Sequence, residues 1–375
     1  MISPGVRAFV PHALPPKVQW TSALVKETTL AERALARLGG FGQRFANPHR
    51  LCRLFLKREA EMSSRIERTY AGLRTIVLAD ELADSESESQ AVTEVNNNYR
   101  LLKFVFDRLG KTPLTHAAVR HMQSVLFLNI ERPPRDVGRY RTIQNWIGSS
   151  NDIRDARHVP PPPTRVDELM RTMIDYINTP DDFPPVARAA CVHYQFEAIH
   201  PFTDGNGRVG RALVMLQLHR DGVLDAPLLN PSAELERNRR QYYDCLLDVT
   251  EQGNWTQWII FFSRAIAFEA ERSIEKLQLL EALRHEYRER VASYRTAKNL
   301  LRIVEDLLSD PAVTTTRLSQ QLQIDPANAS RLVARLVEVG ILSEVTGLAR
   351  NRVYLAHGVL NIFSPEMSGE ASGKQ

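Results

Sequence analysis

Apolar positions recur at helical spacing along most of the chain and at strand spacing almost nowhere. The first twenty residues are the exception, because Pro4, Pro11, Pro15 and Pro16 oppose a helix and predict an extended start. From about Leu30 to Val95 the pattern is helical, with Leu51, Leu54 and Phe55 on one face and Ile66, Tyr70 and Leu73 continuing such a face. Asn96 to Gly110 reads as a further helix ended by its glycine, and Thr115 to Leu128 as another with Thr115 as N-cap. Arg139 to Pro163 breaks the pattern: Trp146, Ile147 and Gly148, two serines, Val159 and four consecutive prolines predict a hairpin followed by a stiff connector. Helical spacing returns from about Val166 to Ala282. The expected fold class is all-α with small β additions.

Beyond a charged helix (Glu269 to Tyr294), a separate module is predicted. Leu300, Val304 and Leu307 share a helix face, Thr314 to Leu322 forms a short helix, and Asp325 or Pro326 opens a third with Ala329, Leu332, Val333 and Leu336 inward. Ile341–Val345 and Arg352–Leu355 read as two strands around Thr346 and Gly347. Three helices and a hairpin are the winged helix-turn-helix plan. The expected division is 1–95, a helical N-terminal region; 96–282, a core; 283–363, a linker helix with the winged module; and 364–375, a disordered polar tail.

Composition changes this picture little. The 375 residues are 43% hydrophobic and 25% charged, ordinary for a soluble globular protein, and the net charge of +4 favours an anionic partner only weakly. Cys52, Cys191 and Cys245 are isolated and odd in number, which fits a reducing compartment. Neither a signal peptide nor a run of eighteen apolar residues is present, so a cytoplasmic protein without a membrane span is expected.

The chemistry concentrates in His200-Pro-Phe-Thr-Asp204-Gly205-Asn206-Gly207-Arg208-Val209-Gly210-Arg211, a loop between two apolar helix-like segments. A loop delivering into a helix N-terminus presents unpaired N–H groups and partial positive charge, a seat for phosphate. Gly205 and Gly207 let backbone approach a ligand, Arg208 and Arg211 share a helix face as forked phosphate donors, and Asp204 is a hard oxygen ligand suited to Mg²⁺. His200 beside that anionic site is a candidate general base. Gly110-Lys-Thr only echoes a P-loop: Val105 stands where the first glycine is needed, and a helix end explains Gly110 better.

The segment resembles the signature of the Fic family, His-Pro-Phe-x-Asp-Gly-Asn-Gly-Arg-x-Gly-Arg, at every position. Arg141-Thr-Ile-Gln-Asn-Trp-Ile-Gly148 and Ala156–Pro160 resemble the family's flap, His193-Tyr-Gln-Phe-Glu-Ala-Ile199 its preceding helix, and Tyr242-Tyr243 and Gly253-Asn-Trp255 the segment after it. The resemblance implies a Fic-fold protein adenylyltransferase: His200 deprotonates a Ser, Thr or Tyr hydroxyl that attacks the α-phosphorus of ATP. It also implies that Asp204 holds Mg²⁺, that Asn206 and the amides from Gly205 to Gly210, Val209 included, cradle phosphates, that Arg208 neutralises developing charge, and that Tyr243 packs near adenine. A hairpin near Ile147 to Ile153 would take an extended target segment by strand addition. Gly207, where relatives that phosphorylate carry Lys, points to adenylyl transfer.

Met62-Ser63-Ser-Arg-Ile-Glu67-Arg68 resembles the family's inhibitory helix, Ser/Thr-x-x-x-Glu-Gly/Asn, with Ser63 and Glu67 matching and Arg68 departing. The resemblance implies that Glu67 pairs with Arg211 and blocks γ-phosphate binding, and a related expectation is that Glu67 orients water to remove AMP. Arg68 would loosen the helix or bind phosphate itself. In the C-terminal module Asn328, Ser330, Arg331, Arg335, Arg350 and Arg352 are compatible with DNA contact, although residues 295–363 hold eight Lys/Arg against six Asp/Glu. The alternative function is therefore a DNA-binding regulator that uses the Fic domain as a nucleotide sensor. Assembly, a homodimer included, is left open.

Overall fold

A computed structural model describes residues 6–44, 48–82, 89–148 and 152–364; the side chains of 48–50 are not among them. The N-terminal half holds α1 (Ser22–Gly42), α2 (Pro48–Ile66), α3 (Leu73–Leu82), α4 (Gln90–Phe104) running into a π turn (Val105–Leu109), and α5 (His116–Val125). The centre holds α6 (Pro163–Asn178), α7 (Pro185–Ile199), α8 (Asn206–Arg220), α9 (Pro231–Arg237), α10 (Arg239–Gln252) and α11 (Trp255–Val291). The chain ends in α12 (Ala297–Leu307), β1 (Ala312–Thr314), α13 (Thr315–Leu322), α14 (Pro326–Glu338), β2 (Ser343–Glu344), β3 (Val353–Leu355) and α15 (His357–Phe363).

Helices α7 and α8 sit at the middle and are buried nearly all round, which is why their sequences show no polar stripe. Four alanines in α7 let α1, α6, α8 and α11 pack against it, and Trp258 of α11 donates its indole N–H to Ala190 O at 3.0 Å. His193 packs on Tyr242, Trp258 and Phe262 and meets the Tyr242 hydroxyl of α10 at 2.7 Å. None of the described helices is long and apolar enough to cross a membrane.

Several boundaries differ from the sequence reading. Helix α1 starts at Ser22, not Leu30, because the Thr21 hydroxyl caps it by accepting from Leu24 N–H at 3.2 Å. The face expected through Ile66, Tyr70 and Leu73 does not exist: α2 ends at Ile66, and Tyr70 lies 62% exposed in the turn. Thr115 does cap α5, through Ala118 N–H, but that helix stops at Val125. Gly110 is not a left-handed cap (φ −55°); a Cβ there would stand 2.5 Å from the His219 ring, so packing explains it. The expected hairpin between Arg139 and Pro163 reduces to one antiparallel bridge, Ile147 to His158, since prolines 160–163 offer no N–H for a ladder. Its turn, 149–151, lies outside the described residues, as do the first five residues and all of the polar tail except Ser364.

The C-terminal module runs helix, strand, helix, helix, strand, strand, with antiparallel order β1-β3-β2. Strand β1 escaped the sequence reading because three residues are too few to show a period. The Asp325 side chain caps α14 by accepting from Asn328 N–H at 2.9 Å, and Leu300, Val304, Leu318, Leu332, Val333 and Leu336 form the inner face. The boundary expected at 282/283 falls inside α11, which continues to Val291. Helix α15 returns to the main body, where Phe363 packs edge-on against Phe55 of α2 with centroids 5.0 Å apart.

Candidate active site

The site is made where α7 hands over to α8. His200 caps α7 in the left-handed region (φ 48°, ψ 61°), and Gly205 caps α8 at φ 85°, a conformation that favours glycine. Between them the Asn206 side chain closes the loop on itself: its Oδ1 accepts from Phe202 N–H at 2.9 Å and its Nδ2 donates to Phe202 O at 2.8 Å. Asn206, expected to contact phosphate through its side chain, therefore holds the loop's shape. The amide cradle is also narrower than expected. Val209 N–H donates to Gly205 O at 3.1 Å, so from Val209 onward, Gly210 included, the amides belong to the helix ladder. Gly205 N–H donates to Asp204 Oδ1 at 2.5 Å, leaving the amides of Asn206, Gly207 and Arg208 for an anion.

His200 Nδ1 lies 3.3 Å from Glu197 O. A carbonyl only accepts, so Nδ1 carries the proton and Nε2 keeps a lone pair. Burial, followed by the nearby His158 and Arg141, pulls the imidazole pKa down to about 4, against a raising contribution from Glu67. The ring is thus neutral and able to accept a proton at neutral pH.

The two signature arginines are in opposite states. Arg211, 2% exposed, is engaged through two nitrogens: Nε donates to Ser63 Oγ at 2.9 Å, and Nη2 to Ser63 O at 2.9 Å and Glu67 Oε1 at 2.7 Å. Burial would raise the Glu67 pKa, but Arg211 and then Arg208 outweigh it, and Glu67 is held below the usual carboxylate range. Arg208 is equally buried, yet its Nε and Nη1 have no hydrogen-bond partner. It stands 3.7 Å from Glu94 and 3.9 Å from Asp204, beyond hydrogen-bond reach of either. A buried cation with vacant donors is costly unless something anionic completes it.

Gly207 has a steric role: a Cβ there would lie 2.1 Å from Glu67 Oε1, so that carboxylate rests directly on the first turn of α8. Arg68 departs from the inhibitory pattern for a backbone reason. Thr69 N–H bonds to Ser64 O, closing the C-terminus of α2, and Arg68 sits there at φ 66°. That is the position where Gly or Asn is favoured. The departure strains the cap, while the Glu67–Arg211 pair that Arg68 was expected to loosen is made.

Asp204, the expected Mg²⁺ ligand, is 58% exposed with one oxygen taken by Gly205 N–H. Among the described residues no group of three or more His, Cys, Asp or Glu is placed to hold a metal ion by itself. One open carboxylate beside an anion seat fits Mg²⁺, which keeps several waters and leans on substrate phosphates. Tyr243 packs on Tyr242 at 4.9 Å and lines a cavity of about 930 Å³ with Tyr194, Leu246, Ile147 and Arg68.

Three nearby residues had been quoted in sequence segments without a role. Glu197 lies three residues before His200, its Oε2 4.0 Å from Nδ1 and its Oε1 without a partner. Burial raises its pKa to about 8, so it is mostly protonated at neutral pH. Its spacing from His200 was a visible signal. Gly210 makes room for it, since a Cβ there would lie 2.4 Å from Oε1. His158 bonds Ala198 O at 3.2 Å and Arg141 reaches His200 O at 2.9 Å; both come from the flap segment, and nothing local announced either.

Residues 113–218 match the Fic/DOC family model and residues 25–107 the Fic/DOC family N-terminal model. The chain belongs to the Fic/DOC family. Curated relatives include a Caenorhabditis elegans protein adenylyltransferase, fic-1, 32% identical over 145 residues (38% of this chain, 25% of that one). A probable protein adenylyltransferase of Aquifex aeolicus is 29% identical over 177 residues, 47% of this chain and 51% of that one. The chain thus spans a quarter to half the length of these relatives. Among solved structures, a Fic family protein from Desulfovibrio desulfuricans G20 superposes with TM-score 0.59 at 19% identity, covering 92% of this chain and 98% of that one. C. elegans Fic-1 (134–508) gives 0.51 at 22% identity, over 69% and 74%. At these identities the likeness establishes the fold.

Proposed function

We propose that this Fic-domain protein transfers AMP from ATP to Ser, Thr or Tyr hydroxyls of target proteins and of itself, and that Glu67 restrains it. The observation that carries the reading is a neutral, half-buried His200 with a free Nε2, beside a helix N-terminus whose Arg208 holds two vacant, buried donors. The adenylyltransferase names of the curated relatives support it.

In this mechanism Nε2 of His200 takes the proton of the target hydroxyl as its oxygen bonds to the α-phosphorus. The bond from that phosphorus to the pyrophosphate oxygen breaks in line, and pyrophosphate leaves. The α8 amides and Arg208 are aimed where the phosphates carry charge. Asp204 would hold Mg²⁺, which when bound neutralises phosphate charge. Tyr243 and its cavity would receive the adenine, and the Ile147–His158 strand pair would align the target backbone. Glu67, resting on the first turn of α8 and occupying Arg211, stands where the terminal phosphate would seek that arginine.

The C-terminal module is read as a winged helix. The regulator reading, with DNA contacts through α14, is not favoured: Arg335 bonds Thr296 and lies over the Tyr294 ring at 5.5 Å, so it is not free for a groove.

The test is incubation of the full chain with Mg²⁺ and ATP labelled at the α-phosphate. Covalent AMP should appear on the chain and vanish in His200→Ala. Label that persists in His200→Ala, or no label in either wild type or Glu67→Gly, overturns the reading.

A further inference from the structure

Two consecutive carbonyls of the catalytic loop are held by one residue of the flap segment. Arg141 Nε donates to His200 O at 2.9 Å and Arg141 N–H to Pro201 O at 2.9 Å. The next carbonyl, Phe202 O, accepts from Asn145 Nδ2 of the same segment at 3.1 Å. The Arg141 guanidinium continues to Pro161 O at 2.6 Å, Ile199 O at 3.4 Å and Ile143 O at 3.4 Å.

This cation is 2% exposed, and burial lowers its pKa to about 10, still charged at neutral pH. No carboxylate contributes to that shift. The compensation comes from carbonyls, two of them at the C-terminal end of α7, where helix dipoles leave partial negative charge. One of the two, His200 O, belongs to the residue held left-handed, a conformation that side chains adopt only where surroundings enforce it.

We propose that Arg141 is a positioning residue for the base: its guanidinium fixes the left-handed backbone of His200 and ties it to both arms of the flap, at Ile143 and Pro161. A target segment lying on the flap then presses on the element that sets the imidazole. The proposal rests on the adenylyl-transfer reading. Arg141 touches neither reacting atom and acts through His200.

The experiment uses the full chain in the Glu67→Gly background, with Arg141→Lys and Arg141→Met. Self-labelling rates are normalised to nucleotide-binding sites counted by calorimetry with a non-hydrolysable ATP analogue. Arg141→Met should lower kcat about 100-fold, the cost of misplacing a reacting group by about an ångström, with analogue affinity within about threefold. Arg141→Lys keeps the charge but loses the fork, and should fall about tenfold with affinity retained. If the Met variant does not fold, the Lys variant decides. A Lys variant at the parental rate, or losses that track nucleotide affinity, overturns the proposal. An inactive parent defeats the adenylyl-transfer reading instead, and the positioning claim is then read from ¹⁵N-histidine spectra. His200 should be the Nδ1-protonated tautomer in the parent and a mixture in the Lys variant; an unchanged tautomer overturns it.

Discussion

Helices α8 and α14 each carry two arginines on one face, Arg208 with Arg211 and Arg331 with Arg335. By spacing alone both pairs are candidates for phosphate. Their surroundings separate them. Arg208 and Arg211 are buried, one with vacant nitrogens and one satisfied by Ser63 and Glu67. Arg331 is exposed and bonded to Asn328 at 3.0 Å in its own helix, and Arg335 is occupied by Thr296. Vacant donors in a dry place are costly unless a ligand completes them, whereas solvated arginines can point anywhere. The difference teaches that unsatisfied burial, rather than charge spacing, marks an anion site.

The largest expected effect tests the vacant donors. Arg208→Met should reduce AMP transfer by about 100- to 1000-fold, the usual loss for one pre-aimed donor, with the circular dichroism spectrum retained. A rate within tenfold of the parent would mean that Arg208 meets no phosphate. Next is the satisfied arginine: Glu67→Gly should raise self-labelling about 10- to 100-fold by freeing Arg211, and equal or weaker labelling counts against inhibition.

The pH dependence sharpens the contrast between buried and solvated groups. His200 is a base only when neutral, and its lowered pKa keeps it neutral down to about pH 4. In Glu67→Gly the glutamate that favours its charged form is gone, so the pKa falls further. The rate at pH 5 should stay within about twofold of that at pH 7, where an unperturbed histidine (pKa about 6.5) would cost more than tenfold. A midpoint near 6.5 in the rate profile would show that the ring is solvated in the working enzyme.

Smaller effects complete the series. Arg68→Gly should stabilise the chain by about 1 kcal/mol, because glycine accepts the left-handed cap; a fall in the thermal midpoint would argue against that strain. Arg331→Ala should change stability by less than about 0.5 kcal/mol and AMP transfer by less than about twofold, measured side by side with Arg208→Met. A tenfold change would erase the distinction between the two helices.

Legibility followed range. The run from His200 to Arg211 could be read because base, metal ligand, glycines and arginines lie within one turn of loop and helix. Glu67 was reached only through the resemblance, since nothing local says that a glutamate in the turn after α2 meets an arginine on α8. The side chain of Asn206 was misassigned because its partner, the Phe202 backbone, appears only once the loop closes. Arg141 escaped because its guanidinium acceptors are backbone carbonyls up to 59 positions away, and carbonyls carry no residue identity to read.

The sequence by itself determined the helical class, the cap at Thr115 and the loop that leads into a helix at Asn206, because these depend on near neighbours and on periodic burial. Only the tertiary structure decided which arginine is vacant and which is occupied, that the His200 ring is neutral, and that α11 runs unbroken past residue 282. The physical reason is that satisfaction and solvation are properties of a surrounding volume, and that volume is assembled from segments far apart in the chain.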